Sequence, residues 1–213
     1  MKSAEVVSIG IAAVLAIAVG VGASLWHRAA PEPRLDVGGY VLPRAKSLGT
    51  FELVDDRGAK VTAQDFAGHW SFLYFGYTYC PDVCPLTLVE LADVKKRLAE
   101  LTPAASVSVY FVSVDPQRDS PERLHEYVTY FDPGFHGLTG DVAEITALAN
   151  AAGAVFFVPP GQDEKTYLVS HSSSIALLEP SGSLRAVFTA PHAAEQVAAD
   201  FTKIYARYGG SRR

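Results

Sequence analysis

The sequence predicts an α/β domain in which a mixed sheet carries helices on both faces. Three observations lead to it. Phe72 to Phe75 is continuously apolar, as a strand buried on both sides must be. The stretch that follows repeats at helical spacing, with Leu88, Leu91, Ala92, Val94, Leu98 and Leu101 on one stripe and Glu90, Lys96, Arg97 and Glu100 left to water. Farther on, strand-like and helix-like segments alternate and then close in a hairpin and a last helix.

The elements follow in order. Thr50 to Val54, the turn residues Asp55-Asp56-Arg57-Gly58 and Lys60 to Thr62 read as an N-terminal hairpin. Val107 to Val114 is a second long β-branched run. Ser120, Pro121 and Glu122 give an N-cap, a first-turn proline and an acidic first turn for a helix to about Tyr130. Leu138 to Asp141 ends a strand and caps a helix through Ala152, and Ala154 to Val158 is a strand before a polar loop. Ser174 to Leu178 and Leu184 to Thr189 form a hairpin about Pro180-Ser181-Gly182, and Ala193 to Tyr208 is the final helix.

Three parts are expected along the 213 residues: a membrane anchor over 1–28, a linker over 29–43 and the folded domain over 44–209. Val6 to Trp26 holds no charged residue and as a helix would be about 31 Å long, enough to cross a hydrocarbon core. Its length favours an uncleaved single-pass helix over a cleaved signal, and the first cysteine, Cys80, is too far downstream for a lipoprotein anchor. Residues 29–43 hold three prolines and two glycines without a period. Net charge is -5, so there is no basic footprint for nucleic acid.

Both cysteines, Cys80 and Cys84, stand where the apolar strand hands over to the helix. Pro85 suits a first helical position, which makes Cys84 the expected N-cap, where the helix dipole favours thiolate over thiol. A bend at Pro81 and Asp82 can bring the sulfurs together, as a disulfide or as two ligands on one ion. Spacing leaves both outcomes open, beside the plainer one of two inert buried cysteines. A redox-type motif between strand and helix makes the domain thioredoxin-like and peroxiredoxin-related.

Of six histidines, His171 is the candidate third ligand. It lies among serines just before the closing hairpin, in the loop that faces the cysteine helix in a thioredoxin-like fold and commonly carries a cis-proline, which this chain lacks there. Two sulfurs and an imidazole suit Cu(I), can hold Cu(II) with an added ligand, and are accepted by Zn(II) as well. Three ligands leave an open position, which suits handing a metal on.

From Gly49 to Tyr208 the sequence resembles the Sco/SenC family of membrane-anchored copper proteins that help assemble the CuA centre of cytochrome c oxidase. The resemblance rests on Tyr74-Phe75-Gly76-Tyr77-Thr78 leading into Cys80-Pro81-Asp82-Val83-Cys84-Pro85, on Val114-Asp115-Pro116 with Arg118-Asp119 and Pro121-Glu122, on Gly137-Leu138-Thr139-Gly140, and on His171-Ser172. It implies one copper per chain, Cu(I) or Cu(II), on Cys80, Cys84 and His171. It also implies an inner-membrane anchor with the domain in the periplasm, and as partners the CuA-bearing oxidase subunit and other copper chaperones.

Two departures stand out. Tyr79 replaces a histidine common in bacterial relatives, and Ser170 replaces an aspartate common before the ligand histidine, which is expected to alter copper affinity or oxidation-state preference. The stretch from Asp115 to Asp119 is read as a helix cap and not as a site.

The leading expectation is a metallochaperone, a transfer protein rather than an enzyme. The alternative is a thiol-disulfide reductase acting on the oxidase cysteines through Cys80 and Cys84. A peroxidase of the peroxiredoxin type fits least, because the cysteine pair is too close for a distant resolving thiol.

Overall fold

The computed structural model describes residues 15–22, 24, 35–160, 163 and 166–209. The chain divides into two units, Met1–Arg34 and Leu35–Arg213. In the first, residues 15–22 and 24 are helical. Among the described residues no helix is long and apolar enough to cross a membrane. The rest of the expected anchor over 1–28 lies outside the described residues.

The second unit is built on an eight-stranded sheet of order β1-β10-β9-β4-β5-β6-β2-β3. Its strands are β1 (Tyr40–Lys46), β2 (Leu53–Asp55), β3 (Lys60–Val61), β4 (Trp70–Gly76), β5 (Val107–Ser113), β6 (Phe135–Thr139), β9 (Ile175–Leu178) and β10 (Leu184–Phe188). The helices are α1 (Val83–Leu101), α2 (Pro121–Phe131), α3 (Val142–Ala152) and α4 (Ala194–Tyr208), with a 3-10 turn at Ala63–Phe66. Strands β4, β5 and β6 are parallel, while β9, β10, β1, β2 and β3 add antiparallel neighbours, so the sheet is mixed. A separate two-stranded ribbon joins β7 (Phe156–Phe157) to β8 (Ser170–His171).

All seven residues of β4 are buried, which is why its sequence does not alternate. The rings of Trp70 and Phe72 meet Phe201 of α4, and Tyr74 neighbours Phe111, which meets Tyr127 of α2. One residue out of phase on β5, Tyr110 meets Phe66 of the 3-10 turn and His136 of β6. Alternate residues of β5 thus pack against opposite layers. Ser120 caps α2 by accepting from the Arg123 amide, and Asp141 caps α3 by accepting from Ala143.

Three local expectations are corrected. Part of the stretch assigned to the linker over 29–43 is strand β1, at the sheet edge, where Pro43 needs no ladder donor and the register shifts between Val41 and Lys46. Gly39 lies against the closing hairpin so closely that a Cβ there would meet the Phe188 ring at 2.7 Å. In α1 the buried stripe ends at Leu98, and Leu101 is exposed in the last turn. The strand expected over 154–158 shrinks to two residues, because its ladder partner among the described residues is the equally short β8.

His136 gives the fold a pH dependence. Burial holds its imidazole below the ordinary value of about 6.5, with Asp56 opposing that shift. A base whose folded pKa is depressed contributes stability that is complete above the unfolded pKa and lost as pH falls through the folded one. Denaturant unfolding at pH 8, 7, 6 and 5 is expected to show a smaller acid-side loss for His136→Phe than for wild type. Equal losses would assign the acid sensitivity elsewhere.

Candidate metal centre

Parallel strands β4 and β5 end side by side, Gly76 opposite Ser113, and the site is built just beyond their carboxyl ends. From Gly76 the chain turns through Tyr77, whose carbonyl accepts from the Cys80 amide at 3.2 Å, and enters α1. The N-cap of that helix is Asp82, so Cys84 occupies its first turn and not the cap expected from Pro85. Cys84 is wholly buried and Cys80 is 8% exposed. Both are free thiols.

His171 comes from β8, whose pairing with Phe156 sets its height above the sulfurs. Its Nε2 lies 3.4 Å from Cys84 Sγ, and its Nδ1 lies 3.2 Å from the Ser172 carbonyl. With Nδ1–H donated to that carbonyl, Nε2 is free to ligate a metal; with the proton on Nε2, the imidazole donates to a sulfur in the metal-free site. The Tyr74 and Tyr77 rings meet the imidazole edge-on at 6.1 and 5.9 Å. One donor atom each from Cys80, Cys84 and His171 lies within 4.8 Å of the others, the only such group of three among the described residues. Donors at 2.0–2.3 Å from one tetrahedral ion stand about 3.5 Å apart, so a small contraction closes this set on a metal.

The two thiols are not equivalent. A hydrogen bond from Cys84 draws the Cys80 pKa far down; His171 and the Asp82 and Cys84 amides add to this, and burial opposes it. Cys84 is pushed up, first by holding its proton for Cys80 and then by burial. The Cys84 hydrogen bond first, and the helix-start amides after it, therefore favour a thiolate at Cys80, whereas the sequence placed that character on Cys84. A metal taking both sulfurs must displace the shared proton.

Ser170 and Tyr79 stand differently from what their spacing suggests. Neighbours on a strand point to opposite faces, and Ser170 is exposed where His171 is half-buried, so position 170 faces away from the sulfurs. Tyr79 is 52% exposed and takes the Arg118 and Arg123 guanidinium groups at 5.0 and 5.3 Å from its ring centre. The other histidines lie elsewhere: His125 pairs with Asp56, His69 with Tyr110, His136 stacks on Tyr110, and His192 reaches the Ser173 carbonyl. His27 lies outside the described residues.

Sequence reasoning missed residues 115–119. Asp119 is fully buried and accepts from the Thr78 amide at 3.0 Å, the Thr78 hydroxyl at 2.6 Å and the Ser113 hydroxyl at 2.7 Å. Burial raises its pKa against those three donors. Asp115 pairs with Arg118 and accepts from the Tyr167 hydroxyl at 2.6 Å. The cap itself is Ser120 alone. The one available signal was the density of charge, two aspartates and an arginine in five residues directly after a buried strand.

The fold and the site define a class: a thioredoxin-like α/β domain with a two-cysteine, one-histidine group able to hold a metal ion at the ends of its central strands. The SCO1/SenC family model matches residues 42–206, and the chain belongs to that family. It is 36% identical over 153 residues to the mitochondrial Sco2 homologue of Bos taurus, covering 72% of this chain and 58% of that protein. The chain thus spans little more than half the length of that relative. The copper-bound crystal structure of Arabidopsis thaliana ScoI superposes with a TM-score of 0.70 at 34% identity, over 75% of this chain and 98% of that one. Copper-bound yeast Sco1 gives 0.68 at 30%, over 78% and 91%.

Gly76 limits how close the site sits to the sheet. A Cβ there would stand 2.8 Å from Cys84 Sγ and 2.7 Å from the Phe111 ring. Gly76→Ala is expected to push the sulfur out of line, lower stability by about 1–3 kcal/mol and weaken metal uptake. Thermal melting and a Cu(I) titration of the variant check both, and full affinity would show that the sulfur has room to move.

Proposed function

We propose that this chain is a metallochaperone that binds one copper ion through Cys80, Cys84 and His171 and delivers it to the CuA-bearing subunit of a cytochrome c oxidase. The observation that carries the reading is the convergence of two thiol sulfurs and an imidazole nitrogen within 4.8 Å. Membership of a family with copper-bound solved relatives, among them the Arabidopsis thaliana and yeast proteins, supports the choice of metal. Soft thiolates with one imidazole suit Cu(I), and three donors leave a fourth position for an incoming ligand. Cys84 lies deepest, so exchange would proceed from the side of Cys80 and His171.

A second reading is favoured by the inequivalent thiols. Cys80, with its depressed pKa, would attack a disulfide of the oxidase subunit, and Cys84 would resolve the mixed disulfide, leaving the partner reduced and this pair oxidised. Reduced thiols are common to both readings, and other copper chaperones would then be the source of the metal.

The charge-free run from Val6 to Trp26 supports a single-pass membrane anchor, and the family resemblance, not the flanking charges, supports an inner-membrane site with the copper domain in the periplasm. The full chain is expected to stay in the pellet after alkaline carbonate extraction, and release into the supernatant would remove the anchor from this proposal.

Copper stoichiometry and the electronic spectrum of the reduced protein test the site. Wild type is expected to bind one copper, His171→Ala to bind at least tenfold more weakly, and the Cys80-Cys84 disulfide form not to bind, since its sulfurs are no longer anionic ligands. Equal copper binding by wild type and His171→Ala would favour the reductase.

A further inference from the structure

Two loops bring the donors together, one from the end of β4 carrying the cysteines and one from the ribbon carrying His171. They meet where the Tyr77 ring and Cys84 Sγ reach His171, while β8 itself pairs with β7 and not with the cysteine loop. What lies between them is the turn of residues 115–119.

That turn is itself rigidly closed. The Arg118 and Asp119 amides both donate to the Asp115 carbonyl, at 3.1 and 3.0 Å, and the Asp115 amide donates to the Ser113 hydroxyl at 3.0 Å. It is rooted in the core, because the Val114 amide donates to the Gly76 carbonyl at 2.8 Å. On one side Asp119 takes both donors of Thr78, two residues before Cys80, and Arg123 donates to the same hydroxyl at 3.3 Å. On the other side Asp115 takes the Tyr167 hydroxyl, and Arg118 donates to the Tyr167 carbonyl at 2.9 Å while its guanidinium lies 3.6 Å from that ring's centre. Tyr167 is four residues before His171. Arg118 also stands 5.8 Å from the centre of Tyr77, whose ring meets His171 edge-on.

We propose that residues 115–119 are the positioning element of the metal centre. Asp119 holds the cysteine loop by Thr78, Asp115 and Arg118 hold the histidine loop by Tyr167, and one closed turn between them sets the distance from imidazole to sulfur. None of these side chains is a ligand. The turn acts by pre-organisation: the cost of bringing His171 to the sulfurs is met on folding, so metal binding need not order the loop.

This inference rests on the metal-centre reading above. The two arms of the turn should fail separately, and a double-mutant cycle reads that. Tyr167→Phe removes only the hydroxyl bonded to Asp115 and keeps the ring over Arg118. Competition of the reduced protein with a Cu(I) chelator is expected to show roughly tenfold weaker binding for Tyr167→Phe, and no further loss when the same change is made in His171→Ala. Thr78→Val, which acts on the cysteine loop, is expected to weaken binding in both backgrounds. The Cys80-Cys84 reduction potential of the metal-free protein, read by equilibration with glutathione, should move in Thr78→Val and stay in Tyr167→Phe.

Full affinity in Tyr167→Phe, or an equal loss with and without His171, would overturn the positioning role. An unchanged affinity in His171→Ala alone would instead overturn the ligand assignment on which it rests, so the two failures are told apart. Melting curves of the metal-free variants separate a general loss of folding from a change at the site.

Discussion

The structure depends on a strand that cannot face water on either side. From Trp70 to Gly76 every residue of β4 is buried, with Phe201 of α4 against Trp70 and Phe72 on one face. A strand so enclosed leaves the sheet only at its end, where the backbone groups of β4 and β5 run out of ladder partners together. The Gly76 carbonyl is met there by the Val114 amide at 2.8 Å, and beyond it the chain closes on itself in the turn after β5 and in the first turn of α1. The donors of the candidate metal centre gather there because the core delivers them to one point, and Gly76 is the residue whose missing side chain lets a sulfur sit against it.

Position and reactivity come from different parts of that arrangement. Depth is set by α1, which buries Cys84 on the same stripe as Leu88 and Leu91 and leaves Cys80 in the loop before it. Charge is set by the thiol-thiol hydrogen bond and by amides at the helix start, which favour the thiolate on the outer sulfur. A pair built this way keeps one proton between two sulfurs, and a cation that binds both must take that proton's place. Metal binding and thiol chemistry thus draw on the same group.

Much of this could be read from the sequence, and the reasons differ by element. β4 and α1 announce themselves because burial on two faces and on one stripe leave unlike patterns within a dozen residues. Cys80, Cys84 and His171 were legible because sulfur and imidazole are few in this chain and two of the three bracket a strand-to-helix junction. β1 was not, since an edge strand tolerates Pro43 and follows two glycines, the marks of a linker. The N-cap was misplaced because Pro85 is acceptable anywhere in the first turn, and here it stands at the third position.

The turn of residues 115–119 shows a different limit. Its local reading, a cap ahead of α2, is satisfied by Ser120 and looks complete, yet its aspartates spend their hydrogen bonds on Thr78 and Tyr167, 41 and 52 residues away in the chain. Periodicity and capping rules see only neighbours, so a residue whose partners are distant is assigned the nearest sufficient role. Burial is what exposes the error: Asp119 is wholly enclosed, and a carboxylate is kept there only if several donors compensate its desolvation. An aspartate that serves only as a cap would sit at the surface, as Asp141 does ahead of α3. The enclosure of Asp119 is therefore the mark of a connection between loops.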